Sequence, residues 1–158
     1  MRPTGDGHIV HVDGDAYFPK VLAADFVAGT GDLAVWRHTE YGGLVATKVA
    51  DHEVAKGKPV ATVEVEAPDR WQHVDTGHPP LELVGIATLD GESRVAVAAN
   101  GTIAAVVSAE PGRYAVSPIH ALMWPGALRG GANDVRLYQV DGPVSAPVLH
   151  PMTMVART

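Results

Sequence analysis

The sequence predicts an all-β protein. A single domain, residues 1–158, is expected to fold as an antiparallel β-sandwich or partly closed barrel of about eight to ten short strands, with at most one or two short helices. Three observations predict it. The 17 Gly and 12 Pro are spread along the whole chain and cut it into segments too short for most helices. Between them lie β-branched and apolar runs that recur about every dozen residues. Within several runs apolar and polar residues alternate, which gives a strand one dry and one wet face.

In chain order, strands are predicted at residues 8–12, 33–38, 44–49, 59–66, 81–88, 94–99, 102–107, 113–117, 135–140 and 152–156. Val63 and Val65 alternate with Glu64 and Glu66, and Val135 and Leu137 alternate with Arg136 and Tyr138. Asn100-Gly101 supplies the positive φ values of a type I′ turn, so residues 94–107 form a hairpin. Asp90-Gly91 marks the preceding turn, which extends the prediction to a three-strand meander over residues 81–107. Asp141-Gly142-Pro143 ends the strand that begins at Val135, because Pro143 cannot donate to a ladder. Helix signal is confined to residues 19–28, where Pro19 suits a first helical position and Gly29 a stop. Ser117-Pro118 opens a short turn through Met123, and residues 126–133 and 141–147 read as loops.

Composition narrows the function classes. With 46% apolar and 19% charged residues the chain is of globular type, and its length buries on the order of two-thirds of the unfolded surface. The net charge of −6 and the scattered Lys and Arg argue against a nucleic-acid footprint. The absence of Cys excludes disulfides, thiolate metal sites and a Cys nucleophile. The first twelve residues lack the apolar core of a secretory signal, and no apolar run reaches membrane-helix length. These features point to a cytoplasmic protein that binds neither nucleic acid nor membrane and needs no cofactor.

No motif singles out a catalytic residue. His11-Val12-Asp13-Gly14-Asp15-Ala16-Tyr17-Phe18 resembles the first catalytic motif of lesion-bypass DNA polymerases. Two-metal phosphoryl transfer needs further carboxylates, and that family's downstream acidic pair is missing, so the stretch reads as a strand ending in an Asp-Gly-Asp turn. His8 and His11, with Asp13 and Asp15, form one histidine set; His73, Asp75 and His78 form another. Neither has the His-x-His spacing that puts two rings on one strand face, so no metal site is assigned. Ser93, Ser108, Ser117 and Ser145 stand outside any nucleophile elbow, and Gly126, Gly130 and Gly131 fit no phosphate-binding fingerprint. Glu64 and Glu66 read as a solvated strand face. Trp36 is expected in the core; Trp71 and Trp124, beside loops with Pro and His, either cap the core or act as interface anchors.

Several segments together suggest a family. They are Val60–Val65, Pro68-Asp69-Arg70-Trp71, the hairpin at Asn100-Gly101, Pro111-Gly112-Arg113-Tyr114 and a last strand centred on Tyr138. In this order the chain resembles a broad group of small bacterial β-sandwich proteins, many from actinobacteria, with the competence protein J type as a distant member. The resemblance implies a sandwich whose end is plugged by Tyr114 after the Pro111-Gly112 turn. It also implies a non-enzymatic role as an inhibitor of a partner nuclease, and it carries over no catalytic residues. The expected function is thus a protein-binding module, of inhibitor or immunity type toward a nuclease or toxin. A virion structural protein and a small enzyme or ligand binder with a barrel cavity are the alternatives. The expected binding residues are Trp71, His73, Asp75, His78, Arg113 and Trp124. The expected partner is another protein; the sequence does not set the oligomeric state.

Overall fold

A computed structural model describes Leu33 and residues 36–37, 39–112 and 114–158. The strand predicted at residues 8–12, the Asp13 motif with its histidines, the helix at residues 19–28 and Arg113 lie outside the described residues. Eight strands follow in chain order: β1 (Glu53–Val54), β2 (Thr62–Val65), β3 (Glu82–Ala87), β4 (Ser93–Ala99), β5 (Thr102–Ala109), β6 (Ser117–Leu122), β7 (Val135–Asp141) and β8 (Val148–Ala156). Short 3-10 turns at Gly42–Leu44, Val49–Asp51, Pro68–Gln72 and Pro125–Ala127 join them.

The strands form one sheet in the order β5-β4-β7-β8-β2-β3-β6, with β1 added to β8. The sheet rolls until its edges, β5 and β6, face each other, so the architecture is the nearly closed barrel rather than the sandwich. Most neighbours are antiparallel. β8, however, runs parallel to β2, with Thr62 opposite Thr153, and parallel to β1, with Glu53 opposite Val148. β8 therefore couples a β5-β4-β7 half to a β2-β3-β6 half.

Alternation builds the interior. Val65, Gly85 and Ile119 lie in one inward row across β2, β3 and β6; Val63, Ala87 and Ser117 lie in the next. Gly85 is required there, because a Cβ would come within 2.9 Å of the Glu64 carbonyl oxygen and 3.1 Å of Val63 Cγ1. β4 and the first half of β5 do not alternate: Val95–Ala99 and Thr102–Val106 are buried throughout. Their small Ala and Val side chains let other chain segments pack closely. Residues 46–49 run along the end of β5, with Ala46 N donating to Ile103 O at 2.8 Å and Ile103 N to Thr47 O at 2.9 Å.

The predicted hairpin is present: Asn100 (φ 53°) and Gly101 (φ 76°) form its turn, with a bulge between Val97 and Ala98. Other expectations change. The meander over residues 81–107 is broken, because β3 pairs with β2 and β6 while β4 pairs with β5 and β7. Of the strand expected at residues 33–38, only Leu33, Trp36 and Arg37 are described, and the amides of Trp36 and Arg37 both bond to Leu33 O in a turn. In place of the strand at residues 44–49 stand two 3-10 turns with Ala46 at φ 70° between them. The expected short turn at Ser117–Met123 is instead the edge strand β6, and of the strand predicted at residues 113–117 the described residues 114–116 are a loop while Ser117 opens β6. Pro118 is tolerated because β6 has a ladder on one side alone. Tyr114 is 85% exposed and plugs nothing; Tyr138 is buried, opposite Ala96 and Pro151.

Candidate functional site

The first of the expected binding residues lies on the 3-10 turn Pro68–Gln72, which Ala67 enters in the left-handed region (φ 42°) with Pro68 at its first position. This geometry drives Trp71 inward until it is 1% exposed, with Nε1 donating to Pro80 O at 3.1 Å. Of its two sequence readings, capping the core describes Trp71. The Arg70 guanidinium stacks 4.6 Å above the Trp71 ring and donates to Glu82 O. Burial pushes the Arg70 pKa below its usual range, against the attraction of Glu82 and Glu66. His73, Asp75 and His78 follow on a solvent-exposed loop. Asp75 accepts from Gly77 N at 2.9 Å and lies 3.7 Å from His78, both side chains more than three-quarters exposed. His73 does not join that pair. Among the described residues no three His, Asp or Glu side chains gather within reach of a metal ion.

Trp124 is half-buried at the other end of β6, and its N donates to Ala104 O at 2.7 Å. Its turn and the Trp71 turn meet through Asn133, which the sequence reading left in a loop. Asn133 is 2% exposed; its Nδ2 donates to the carbonyls of Trp71, Arg129 and Gly131, and its Oδ1 accepts from Asn100 Nδ2 at 2.7 Å and Arg129 N at 2.9 Å. Asn100 in turn donates to Ala127 O at 3.1 Å. Every polar atom of the Asn133 amide is thereby engaged, which makes this hub a structural clasp.

The barrel seam is different. No backbone ladder joins β5 to β6; the bond from Trp124 to Ala104 holds one end, and the connection over residues 110–116 holds the other. Between them lies a cleft of about 300 Å³, lined by Trp36, Thr39, Val106, Val107, His120 and Leu122 among others. Trp36 is 5% exposed. Its Nε1 and Thr39 Oγ1 are buried without a hydrogen-bond partner, as is Ser117 Oγ at the start of β6. An unsatisfied buried donor or acceptor costs about 1–3 kcal/mol.

The seam adjoins the outward face of β2, β3 and β6. Register sets side by side Glu64, Ile86 and Pro118; Glu66, Val84 and His120; and Glu82 and Leu122. Val84, Ile86 and Leu122 are half-buried, and Pro118 is exposed. The result is an apolar strip along β3 and β6, flanked by the acidic column of β2 on one side and the cleft on the other. Arg157 pairs with Glu66 at 3.2 Å. Elsewhere, a hydrogen bond to Glu92 raises the Arg94 pKa, and one to Asp134 raises that of Arg136.

Sequence reading missed the cleft and the strip, since both depend on which strands become neighbours. The one available signal was the apolar set Val84, Ile86 and Leu122 at alternate, nominally wet positions. No protein-family model, curated protein or solved structure shows significant similarity to the chain.

Proposed function

We propose that the protein is a non-enzymatic module that binds another protein through the outward face of β2, β3 and β6, acting as an inhibitor or immunity-type partner. The carrying observation is the apolar strip Val84, Ile86, Pro118 and Leu122 beside Glu64 and Glu82. An apolar centre with a charged rim is the anatomy of a protein interface. The acid rim and the net charge of −6 favour a partner with basic groups around an apolar patch, and steer its approach.

The test is capture of partners from the native host, followed by binding kinetics of the purified pair. Association should slow as salt rises. Val84→Lys and Ile86→Lys should each weaken binding on the order of tenfold or more, as loss of an interface anchor does. Arg129→Ala, away from this face, should not. Binding indifferent to both lysine variants would end the proposal.

A further inference from the structure

We propose that Asn100 is a self-modification site: when the clasp between Asn100 and Asn133 opens, the Asn100-Gly101 step deamidates, and the acid that forms holds the clasp open. The chain has two asparagines, and they bond to each other. An asparagine followed by glycine offers this reaction the least hindrance, because glycine puts no side chain beside the attacking nitrogen. At Gly101 there is open space where a Cβ would stand.

The reaction uses the chain and water alone. The Gly101 backbone nitrogen gives up its proton and attacks Asn100 Cγ. A carbon–nitrogen bond forms and closes a five-membered imide, while the side-chain nitrogen takes up a proton and leaves as ammonia. Water then adds to one imide carbonyl and the bond from that carbon to the Gly101 nitrogen breaks. Opening at Cγ gives aspartate, and opening at the backbone carbonyl gives isoaspartate. One water is consumed, one ammonia is released, and nothing is oxidised or reduced.

The closed clasp restrains the first step. Asn100 Nδ2 donates to Asn133 Oδ1 at 2.7 Å and to Ala127 O at 3.1 Å, and Asn100 Oδ1 accepts from Asp134 N at 3.2 Å. Attack makes Cγ tetrahedral and draws it toward the Gly101 nitrogen, which pulls these three bonds out of line. Conversion therefore follows opening of the clasp.

The product cannot re-enter the same arrangement. An ionised carboxylate donates nothing. The oxygen that replaces Nδ2 faces Asn133 Oδ1 and Ala127 O, acceptor against acceptor. Turning the Asn133 amide over does not relieve this. Its oxygen would then point at the carbonyls of Trp71, Arg129 and Gly131, and Arg129 N would lose its acceptor. The turn itself is no obstacle to aspartate, since Asp-Gly suits the same left-handed pair of residues, here at φ 53° and 76°. Isoaspartate disturbs the turn as well, because it adds a carbon to the main chain between Ala99 and Thr102, which face each other in the ladder. Opening is thus recorded in a covalent change that closing does not erase.

The experiment incubates the full chain at one pH and temperature, in native buffer and in urea. Conversion at each asparagine is read by mass spectrometry of its proteolytic fragments. Asn100 should convert before Asn133 in both, and on the order of a hundredfold faster in urea, where the three bonds are absent. The product state is tested with Asn100→Asp against Asn100→Gly, which suits the turn and removes the same side-chain bonds without adding charge. Hydrogen exchange at the Arg129 amide, which donates to Asn133, should be on the order of tenfold faster in Asn100→Asp than in Asn100→Gly, with the β4 amides still protected. Equal conversion in buffer and urea, no conversion at Asn100 in urea, or Asn133 converting first would each overturn the proposal. So would Arg129 exchange no faster in Asn100→Asp than in Asn100→Gly. A loss of protection in β4 as large as that at Arg129 would place the effect in the whole barrel rather than the clasp, and would overturn it too.

Discussion

Asn133 concentrates more hydrogen bonds than any other side chain described, and it does so at 2% exposure. Replacing it with Ala strands the Arg129 carbonyl and amide, and takes a second partner from the Trp71 and Gly131 carbonyls and from the Asn100 amide. Asn133→Ala should therefore destabilise the fold by about 2–4 kcal/mol, read as a lower urea midpoint at unchanged slope. A loss below about 0.5 kcal/mol, the size of an ordinary surface substitution, would mean that water replaces the clasp. The ion pairs behave otherwise. Arg94 and Arg136 have raised pKa values through their bonds to Glu92 and Asp134, so on the alkaline side their stabilisation fades only far above neutral pH. Across neutral pH these two arginines add no pH dependence. At this scale the sequence was legible where hydrophobicity decides: Trp36 and Trp71 are buried, as their type suggests. It was silent on Asn133, because an amide's partners are carbonyls brought from residues far apart in the chain.

Gly85 shows what an element demands of one residue. It sits inward on β3 between Val63 and Val65, and its Cα faces the β2 backbone so closely that a methyl group has no room. Gly85→Ala should cost about 1–3 kcal/mol through overpacking, measured by denaturant unfolding, although alanine suits a strand better than glycine in the abstract. A stabilised variant would show that β2 and β3 separate without cost. Elements with their own local signal were readable. Alternation located β2 and β7, a β-prone run located β3, and Asn100-Gly101 fixed the β4–β5 hairpin. The apolar run at residues 44–49 becomes something else: it bonds to the edge of β5 but is folded into turns, with Ala46 in the left-handed region, rather than a strand. Conversely, Pro118 suggested a turn by composition, yet β3 offers a ladder that needs nothing from its missing N–H.

Across the whole molecule, the all-β class was legible, with sandwich and partly closed barrel left as alternatives, whereas strand order was not. Period-two burial says that a strand has a wet side, but not which strand lies beside it. That gap hid the parallel β2–β8 pairing, the seam and the strip on β3 and β6. Order also makes the fold depend on β8, which is hydrogen-bonded to β7 on one side and to β1 and β2 on the other. Deleting residues 148–158 should abolish cooperative unfolding, followed by circular dichroism against urea. Retention of a sharp transition would mean that one half of the barrel stands alone.

The central position of β8 has a cost in time during biosynthesis. It follows the other described strands in the chain, so β7 and β2 keep bare backbone edges until it docks. Until then nothing joins the β5-β4-β7 and β2-β3-β6 halves, and an unpaired edge is a template for a foreign strand. Slow codons between β7 and β8 would lengthen the exposure, and a chaperone that shields strand edges would matter most then.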